Sequence, residues 1–304
     1  MSTFEDHRSL LTGVAYRILG SVADAEDVVQ EAWLRWSGLD EATVGDPKAY
    51  LVKVTSRLAI DRLRWAKSRR EAYVGPWLPE PISTEPGVAE QAELAESVEM
   101  ALLVVLETLS PLERAVFVLR EAFGLPFSEI AEVIGRSEPA TRQLARRARD
   151  HVQEKRPRFD VDRDERRRMT VRFINASANG DLDGLIELLS SEVTMVSDGG
   201  GKARAALRII TGADHVGRYL LSINTPVNIA RFMPSVGLAK DSGLSFGMTE
   251  MNGAPAIVIS AGDKVITVIS LVLSDGKIDT IYLVANPEKV AHLRPATGPG
   301  AGAL

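Results

Sequence analysis

The chain has 304 residues, no cysteine and a formal net charge of −5. That length fits two or three domains, and the lack of cysteine excludes disulfides, zinc ribbons and thiol redox sensing. No apolar run is long enough to span a bilayer and no charged-then-apolar leader opens the chain, so a cytoplasmic protein without membrane contact is expected.

Leu10, Leu11, Val14, Ala15 and Ile18 recur at helical spacing, and Gly20 ends that helix. Ser21, with Asp24 three residues on, starts a second helix in the manner of a capping box. It carries Asp24, Glu26, Asp27 and Glu31 around Val28, Ala32 and Leu34. Composition leaves that acidic face open between solvated surface and a docking face for a basic partner.

Asp46 and Pro47 cap and open a third helix, with Leu51, Val54, Leu58 and Trp65 along one side. From Lys53 to Arg70 the basic residues are Lys53, Arg57, Arg62, Arg64, Lys67, Arg69 and Arg70, opposed only by Asp61. A positive helix end near Trp65, Tyr73 and Trp77 suits a nucleic-acid strand: cations meet phosphates and aromatic faces receive unstacked bases. A core position for Trp65 is the equal alternative.

Residues 73–95 form a linker. Pro76, Pro79, Pro81 and Pro86, with Gly75 and Gly87, forbid a continuous helix. From Tyr73 to Glu99 six glutamates stand without a lysine or arginine.

The pattern then restarts with a helix from Ala95 to Leu109. Ser110-Pro111-Leu112-Glu113 is a capping box with proline at the first helical position, and its helix stops at Gly124. Phe127 to Ile134 is a short helix closed by Gly135, and Ser137 caps the next. In that last helix Ala140, Leu144, Ala148 and Val152 repeat every four residues and are assigned inward. Glu138, Thr141, Arg142, Arg146 and Arg149 are assigned outward. A short helix, a glycine turn and a helix with an outward arginine face match the helix-turn-helix layout. Early arginines reach guanine edges; later ones hold phosphates. A helical hairpin with a basic solvent face is the bland alternative.

Taken together these segments resemble a known family. Asp24-Ala25-Glu26-Asp27-Val28-Val29-Gln30-Glu31 is similar to the polymerase-binding helix of sigma-70 region two. Pro47-Lys48-Ala49-Tyr50-Leu51, continuing through Ala59-Ile60-Asp61-Arg62-Leu63-Arg64, resembles the promoter-melting segment of extracytoplasmic-function (ECF) sigma factors. Leu109 to Arg114 and Phe127 to Ala131 resemble region four, which reads the upstream promoter element. Arg57 stands where many ECF factors carry asparagine. Tyr73-Val74-Gly75-Pro76-Trp77-Leu78-Pro79-Glu80-Pro81 is similar to the linker of the SigJ-type subgroup, which carries a C-terminal SnoaL-like extension and tolerates that arginine.

Beyond Arg156-Pro157-Arg158, residues 158–295 read as α+β, with 296–304 as a flexible tail. Asp162 to Ala178 is a helix, and Asp181 caps another from Leu182 to Leu189. Asn252-Gly253 joins strands Leu244–Glu250 and Ala254–Ser260, and Asp275-Gly276 joins Val265–Ser274 and Lys277–Ala285. Helices followed by hairpins give the α+β class. The segment resembles SnoaL-like proteins of the NTF2-like superfamily, a curved sheet wrapped by helices around a cavity. Ser197-Asp198-Gly199-Gly200-Gly201-Lys202 and Asn286-Pro287-Glu288-Lys289 match elements of the fused subgroup. Asp198, His215 and Tyr219 are the one trio suited to chemistry, and structural roles are assigned to them, as to His292. The three glycines permit a tight turn and the close approach of another backbone, that of the proline-rich linker or of region two. Trp77 and Leu78, read as exposed, are paired, together with Pro79, with Asp198, Gly199, Gly200, Gly201 and Lys202 as an interdomain regulatory contact.

The expectation is a multidomain chain with two all-α domains, sigma region two over 1–72 and region four over 96–157, then the α+β domain. The resemblance implies a promoter-specificity subunit. Asp24, Glu26, Asp27, Gln30 and Glu31 would meet core RNA polymerase. Arg57, Arg62, Arg64, Trp65, Lys67, Arg69 and Arg70, with the Glu138 helix, would meet promoter DNA. No catalytic residue, cofactor or metal is implied, and a small-molecule ligand in the C-terminal cavity is left open. The rival is a ligand-gated DNA-binding protein whose NTF2-like domain is an enzyme or a sensor. A plain dimeric repressor would have no use for the acidic helix.

Overall fold

The computed structural model describes residues 3–84, 99–155, 162–296 and 302–303. Contacts divide the chain into two units, Met1–Ala72 with Pro86–Arg156, and Tyr73–Glu85 with Pro157–Leu304. The helical stretches expected as two domains therefore share one unit. The first half of the expected linker belongs to the other.

In the first unit, helices Arg8–Leu19, Val22–Ser37 and Pro47–Arg70 pack on each other through Leu11, Val14, Ile18, Val28, Ala32, Leu51, Leu58 and Leu63. Gly20 ends the first in a left-handed conformation, φ 70°. Ser21 Oγ accepts the Asp24 N–H at 3.2 Å, and the Asp46 carboxylate accepts that of Ala49 at 3.0 Å. One expected core position is corrected, and the open alternative at Trp65 is decided. Leu34 is exposed, and the buried residue of that turn is Trp36, whose indole N–H donates to Glu41 at 3.0 Å. Trp65 is 51% exposed; the long helix turns Leu51, Thr55, Leu58, Ala59, Leu63 and Ala66 inward instead.

Helix Met100–Glu107 leads to Pro111–Phe117, whose capping box makes both bonds and which runs on as a π turn over Val118–Ala122. The expected start of the earlier helix, Ala95, lies outside the described residues. Phe127–Ile134 ends at Gly135, φ 65°, before helix Glu138–Lys155. That last helix buries Thr141, Ala145, Ala148 and Val152, not Ala140 and Leu144. An interval of four drifts off a 3.6-residue turn, whereas steps of four, three and four stay on one face. Thr141 is thus a core residue, and its hydroxyl donates to the Ser137 carbonyl at 3.0 Å.

The second unit is built on one sheet of order β2-β1-β6-β5-β4-β3-β7. The strands are β1 Leu189–Asp198, β2 Ile210–Thr211, β3 Leu244–Met251, β4 Ala254–Ala261, β5 Lys264–Ser274, β6 Lys277–Val284 and β7 Gly302–Ala303. β3 to β6 form an antiparallel meander, and β1 adds in parallel to β6. Both expected hairpins form; Asn252-Gly253 and Asp275-Gly276 have all four φ values positive, as a two-residue type I′ turn requires. Helices Arg163–Ala178, Leu182–Leu188 and Ala213–Ile223 lay Phe173, Leu185, Val216 and Leu220 onto the sheet residues Val193, Ile257, Ile269 and Ile281.

Residues 73–84 are a strap on this unit. Asp198, at the end of β1, is fully buried and accepts the Tyr73 hydroxyl at 2.6 Å, the Leu78 N–H at 2.8 Å and Lys289 Nζ at 2.7 Å. Leu78 is itself buried, and Trp77 is half-buried with Lys289 Nζ 3.8 Å from its ring centroid. Both were expected to be exposed. They are covered because the strap supplies donors that the buried carboxylate needs. Further along, the Thr84 N–H donates to the Glu250 carbonyl at 2.9 Å, and Ile82 and Asn252 exchange bonds.

Removing one partner from a buried, hydrogen-bonded ion pair costs about 3–5 kcal/mol because the other charge is left in a dry site. Asp198→Ala should lower the stability of the second unit by about that much. Asp198→Ala with Lys289→Met should recover part of it, since no lone buried charge remains. Urea denaturation of the three proteins checks this; a double variant no more stable than the single one would refute the ion-pair account.

Candidate polymerase and nucleic-acid interfaces

The acidic helix Val22–Ser37 buries Ala25, Val28, Val29, Ala32 and Trp36, which turns Glu26, Asp27, Gln30 and Glu31 to solvent. Asp27, Gln30, Glu31 and Leu34 follow i, i+3, i+4, i+7 spacing and so share one stripe. An exposed leucine in an acidic stripe, with Trp33 also 43% exposed beside it, gives the face an apolar element. Sequence periodicity placed Leu34 in the core and missed this; the signal was its step of two from the buried Ala32, off the inward face. Asp24 is different. It is half-buried and paired with Arg62 at 2.7 Å, and Arg62 also reaches Asp27 at 3.0 Å. The hydrogen bond to Asp24 raises the Arg62 pKa above its ordinary value.

The basic set on Pro47–Arg70 splits in two. Arg57, Lys67 and Arg70 turn toward the later helices of the same unit. Arg57 donates to the carbonyls of Glu132 at 2.6 Å and Val133 at 3.2 Å, the unpaired C-terminal carbonyls of Phe127–Ile134. Lys53 binds the Glu132 carboxylate at 2.7 Å. Lys67 donates to the carbonyls of Glu107 and Leu109 past the end of Met100–Glu107, and burial lowers its pKa from the ordinary lysine value. Arg70 binds the Glu107 carboxylate and the Leu19 carbonyl, the latter at 3.1 Å. Cations at carbonyl-rich helix ends are favoured by the helix dipole.

The other part faces solvent. Trp65 is flanked by the guanidinium groups of Arg69 at 4.6 Å and Arg62 at 5.3 Å from its ring centroid. Arg64 pairs with Asp61 at 2.8 Å. An exposed indole bracketed by cations is a surface on which a base can stack while phosphates meet the arginines.

On Glu138–Lys155, Arg142, Arg146 and Arg149 occupy one exposed stripe. Arg142 pairs with Glu138 and lies 4.7 Å from the Phe127 ring centroid. Arg149 pairs with Glu121 at 2.6 Å. Arg146 is 84% exposed, its nearest acid Asp150 at 3.8 Å. Thr141, assigned to DNA from sequence, is buried and unable to reach it.

The remaining set meets at Asp198. Gly200 and Gly201 have φ of 59° and 70°, and a Cβ there would fall 2.8 Å from the Tyr73 hydroxyl and 2.9 Å from Val74 Cβ. Gly199 and Lys202 complete the turn, with Lys202 paired to Glu288. Pro79 is buried in the strap, and His292 contacts the Pro81 carbonyl at 2.9 Å. Tyr73, Asn286 and Lys289, absent from the sequence-derived site, are the partners that close it: Asn286 Nδ2 donates to the Tyr73 hydroxyl at 2.8 Å. Burial, then Asp198, pushes the Tyr73 pKa well above the ordinary tyrosine value. The trio suited to chemistry does not converge. Asp198 is enclosed here, His215 is exposed with its ring at the Thr211 carbonyl, and Tyr219 lines a separate cavity.

No helix among the described residues is long and apolar enough to cross a membrane, and no cluster of three metal-ligating side chains occurs among them.

Comparison with known proteins agrees with this geometry. Residues 3–69 match the family model "Sigma-70 region 2", and residues 99–152 match "Sigma-70, region 4". The chain is 41% identical over 303 residues to the ECF RNA polymerase sigma factor SigJ of Mycobacterium tuberculosis, covering 95% of this chain and 92% of that one. It is 34% identical over 298 residues to the same organism's "Probable ECF RNA polymerase sigma factor SigI", covering 97% and 96%. The crystal structure of M. tuberculosis SigJ superposes with a TM-score of 0.73 at 38% identity, over 95% of this chain and 97% of that one. Likeness of this extent runs through the C-terminal α+β unit as well as the helices, and the chain belongs to the ECF RNA polymerase sigma factors of the sigma-70 family.

Proposed function

We propose that this sigma factor binds core RNA polymerase through the stripe Asp27, Gln30, Glu31 and Leu34, with Glu26 beside it and Asp24 holding Arg62 in place. Promoter DNA is met at two places. Trp65 with Arg62, Arg64 and Arg69 receives the opened proximal element, and Arg142, Arg146 and Arg149, preceded by Glu138, read the upstream element in the major groove. The C-terminal unit is a regulator and not an enzyme, a reading supported by the separation of Asp198, His215 and Tyr219.

One observation carries the regulatory part of this reading. Arg57, Lys67 and Arg70, basic residues of the promoter-melting segment, are bonded to the helix ends of Phe127–Ile134 and Met100–Glu107. In that closed arrangement they are withheld from DNA. Polymerase and promoter then select an open arrangement, and the closing bonds lower apparent affinity by the fraction of chains held shut. The strap at 73–84, anchored at Asp198, begins three residues after Arg70, so the chain passes directly from this helix into the C-terminal unit. Run-off transcription with core polymerase tests the whole reading: promoter-directed transcripts are expected from the full chain.

Three predictions follow from the parts. Asp27→Lys with Glu31→Lys, which leaves the Asp24–Arg62 pair in place, should weaken core binding. Each exposed pair is worth about 0.2–1 kcal/mol, so loss of both amounts to about 0.4–2 kcal/mol, roughly two- to thirtyfold. Unchanged affinity in a titration removes the docking assignment. Arg142→Ala should cost about 1–3 kcal/mol of promoter binding and relax preference at one base pair, while Arg149→Ala weakens all sequences alike. A uniform loss from both would make Arg142 a phosphate contact. For the closed arrangement, the absence of cysteine makes Ser37→Cys with Gln153→Cys a unique pair of labelling sites. Energy transfer between the labels should fall when core polymerase is added, and an unchanged efficiency in the complex would contradict opening.

A further inference from the structure

Phe127 opens the short helix Phe127–Ile134, one turn before the buried Ile130 and Ala131. Steps of three and four put it on their stripe, at its outer end. There the ring is half-buried, and two guanidinium groups lie over it. Arg120 Cζ is 4.8 Å from the ring centroid and Arg142 Cζ is 4.7 Å from it. Both distances are within the reach of a cation–π contact.

The two cations are not equivalent. Arg120 is half-buried, and its Nη1 donates to the Leu125 carbonyl at 2.9 Å, which ties it to the turn before the helix. Arg142 is exposed, near the start of Glu138–Lys155, on the stripe assigned to the major groove. Its Nη2 donates to the Glu138 carboxylate. Arg142 is thus held by two contacts of different kinds. A guanidinium is planar, and its five N–H donors lie in that plane. The bond to Glu138 occupies one of them. The contact with Phe127 is the attraction of a cation to a π cloud and takes no N–H. Bidentate reading of a guanine needs in-plane donors, so the ring can keep its hold while a base is read. An arginine free to swing loses rotamer freedom when it grips a base, and a partner that already confines it reduces that loss.

We propose that Phe127 is a positioning residue for promoter recognition: its ring holds the Arg142 guanidinium without using its N–H donors, so the base-pair preference carried by Arg142 depends on an aromatic side chain at position 127. The inference rests on the reading of Arg142 as a base contact.

The test uses holoenzyme assembled from the full chain and core RNA polymerase, with a duplex library randomised across the upstream element. Sequencing of the bound fraction gives the preference at each base pair. Arg142→Ala should flatten one position. Phe127→Leu, which keeps an apolar side chain and removes the ring, should lower the preference at that same position roughly two- to fivefold, the range of an exposed cation–π contact. The other positions should be unchanged. Phe127→Met should behave as Phe127→Leu does, and Phe127→Tyr, which keeps the ring, should retain the wild-type preference. Helix content by circular dichroism and affinity for a duplex of unrelated sequence should stay at wild-type values in all three. Wild-type preference in both Phe127→Leu and Phe127→Met would overturn the inference and leave the base contact standing. An equal loss in Phe127→Tyr would do the same, as would a loss of helix content or of preference at every position, which is what a merely structural role produces. If Arg142→Ala flattens no single position, the reading of Arg142 and the inference built on it fall together.

Discussion

The Asp198 carboxylate is the constraint on which the C-terminal unit depends. A charge taken out of water loses several kcal/mol of solvation, and it is tolerated only where opposite charge and donors replace that water. Here one oxygen takes the Tyr73 hydroxyl, and the other takes the Leu78 N–H and the Lys289 ammonium. These groups come from the strap, the end of β1 and the turn after β6. The three segments are far apart in sequence, so the site forms only when the parallel β1–β6 pairing is in place. The strap is thereby part of this unit's fold, and proline supports it by lowering the entropy lost on docking.

In the helical unit the same kind of charge has two uses. A cation placed at a helix C-terminus meets carbonyls that have no partner within the helix. Arg57 does this for Phe127–Ile134, and Lys67 for Met100–Glu107. A cation on an open helix face, such as Arg146, has among the described residues the long Asp150 contact, and is suited to phosphate. Both kinds look alike in a run of lysines and arginines. What separates them is which side of the helix the residue occupies once Leu51, Leu58 and Leu63 have fixed its inward face.

The legible parts of the chain were those governed by local rules. Caps at Ser21, Asp46 and Ser110 and the turns at Asn252-Gly253 and Asp275-Gly276 depend on neighbours a few residues away, and all appear where sequence puts them. Helix phase was less secure. An assumed interval of four put Thr141 on the DNA face and Leu144 in the core, when the true period buries Thr141 and Ala145. β1 escaped notice because it pairs in parallel and has no hairpin turn to announce it. The strap read as a linker because prolines mark the absence of a helix but say nothing of what an extended segment lies against. Its partners, Asn286 and Lys289, are more than two hundred residues away. At the DNA and polymerase faces, residue types were readable and their availability was not.

The strap is held at two strengths. At Tyr73 and Leu78 it is tied by charge-assisted bonds to a buried carboxylate, the strong class of hydrogen bond. At Val74 and Gly75 it rests on Gly201 and Leu207 by apolar contact alone, where each methyl-sized contact amounts to about 0.8 kcal/mol. The two holds answer to different perturbations. Loss of the Asp198 charge frees Tyr73 and Leu78 together, because both donate to the one carboxylate. Residues 74 and 75 can lift from the 201–207 turn with that anchor left intact, because an apolar contact of this size is small beside a charge-assisted bond to a buried carboxylate.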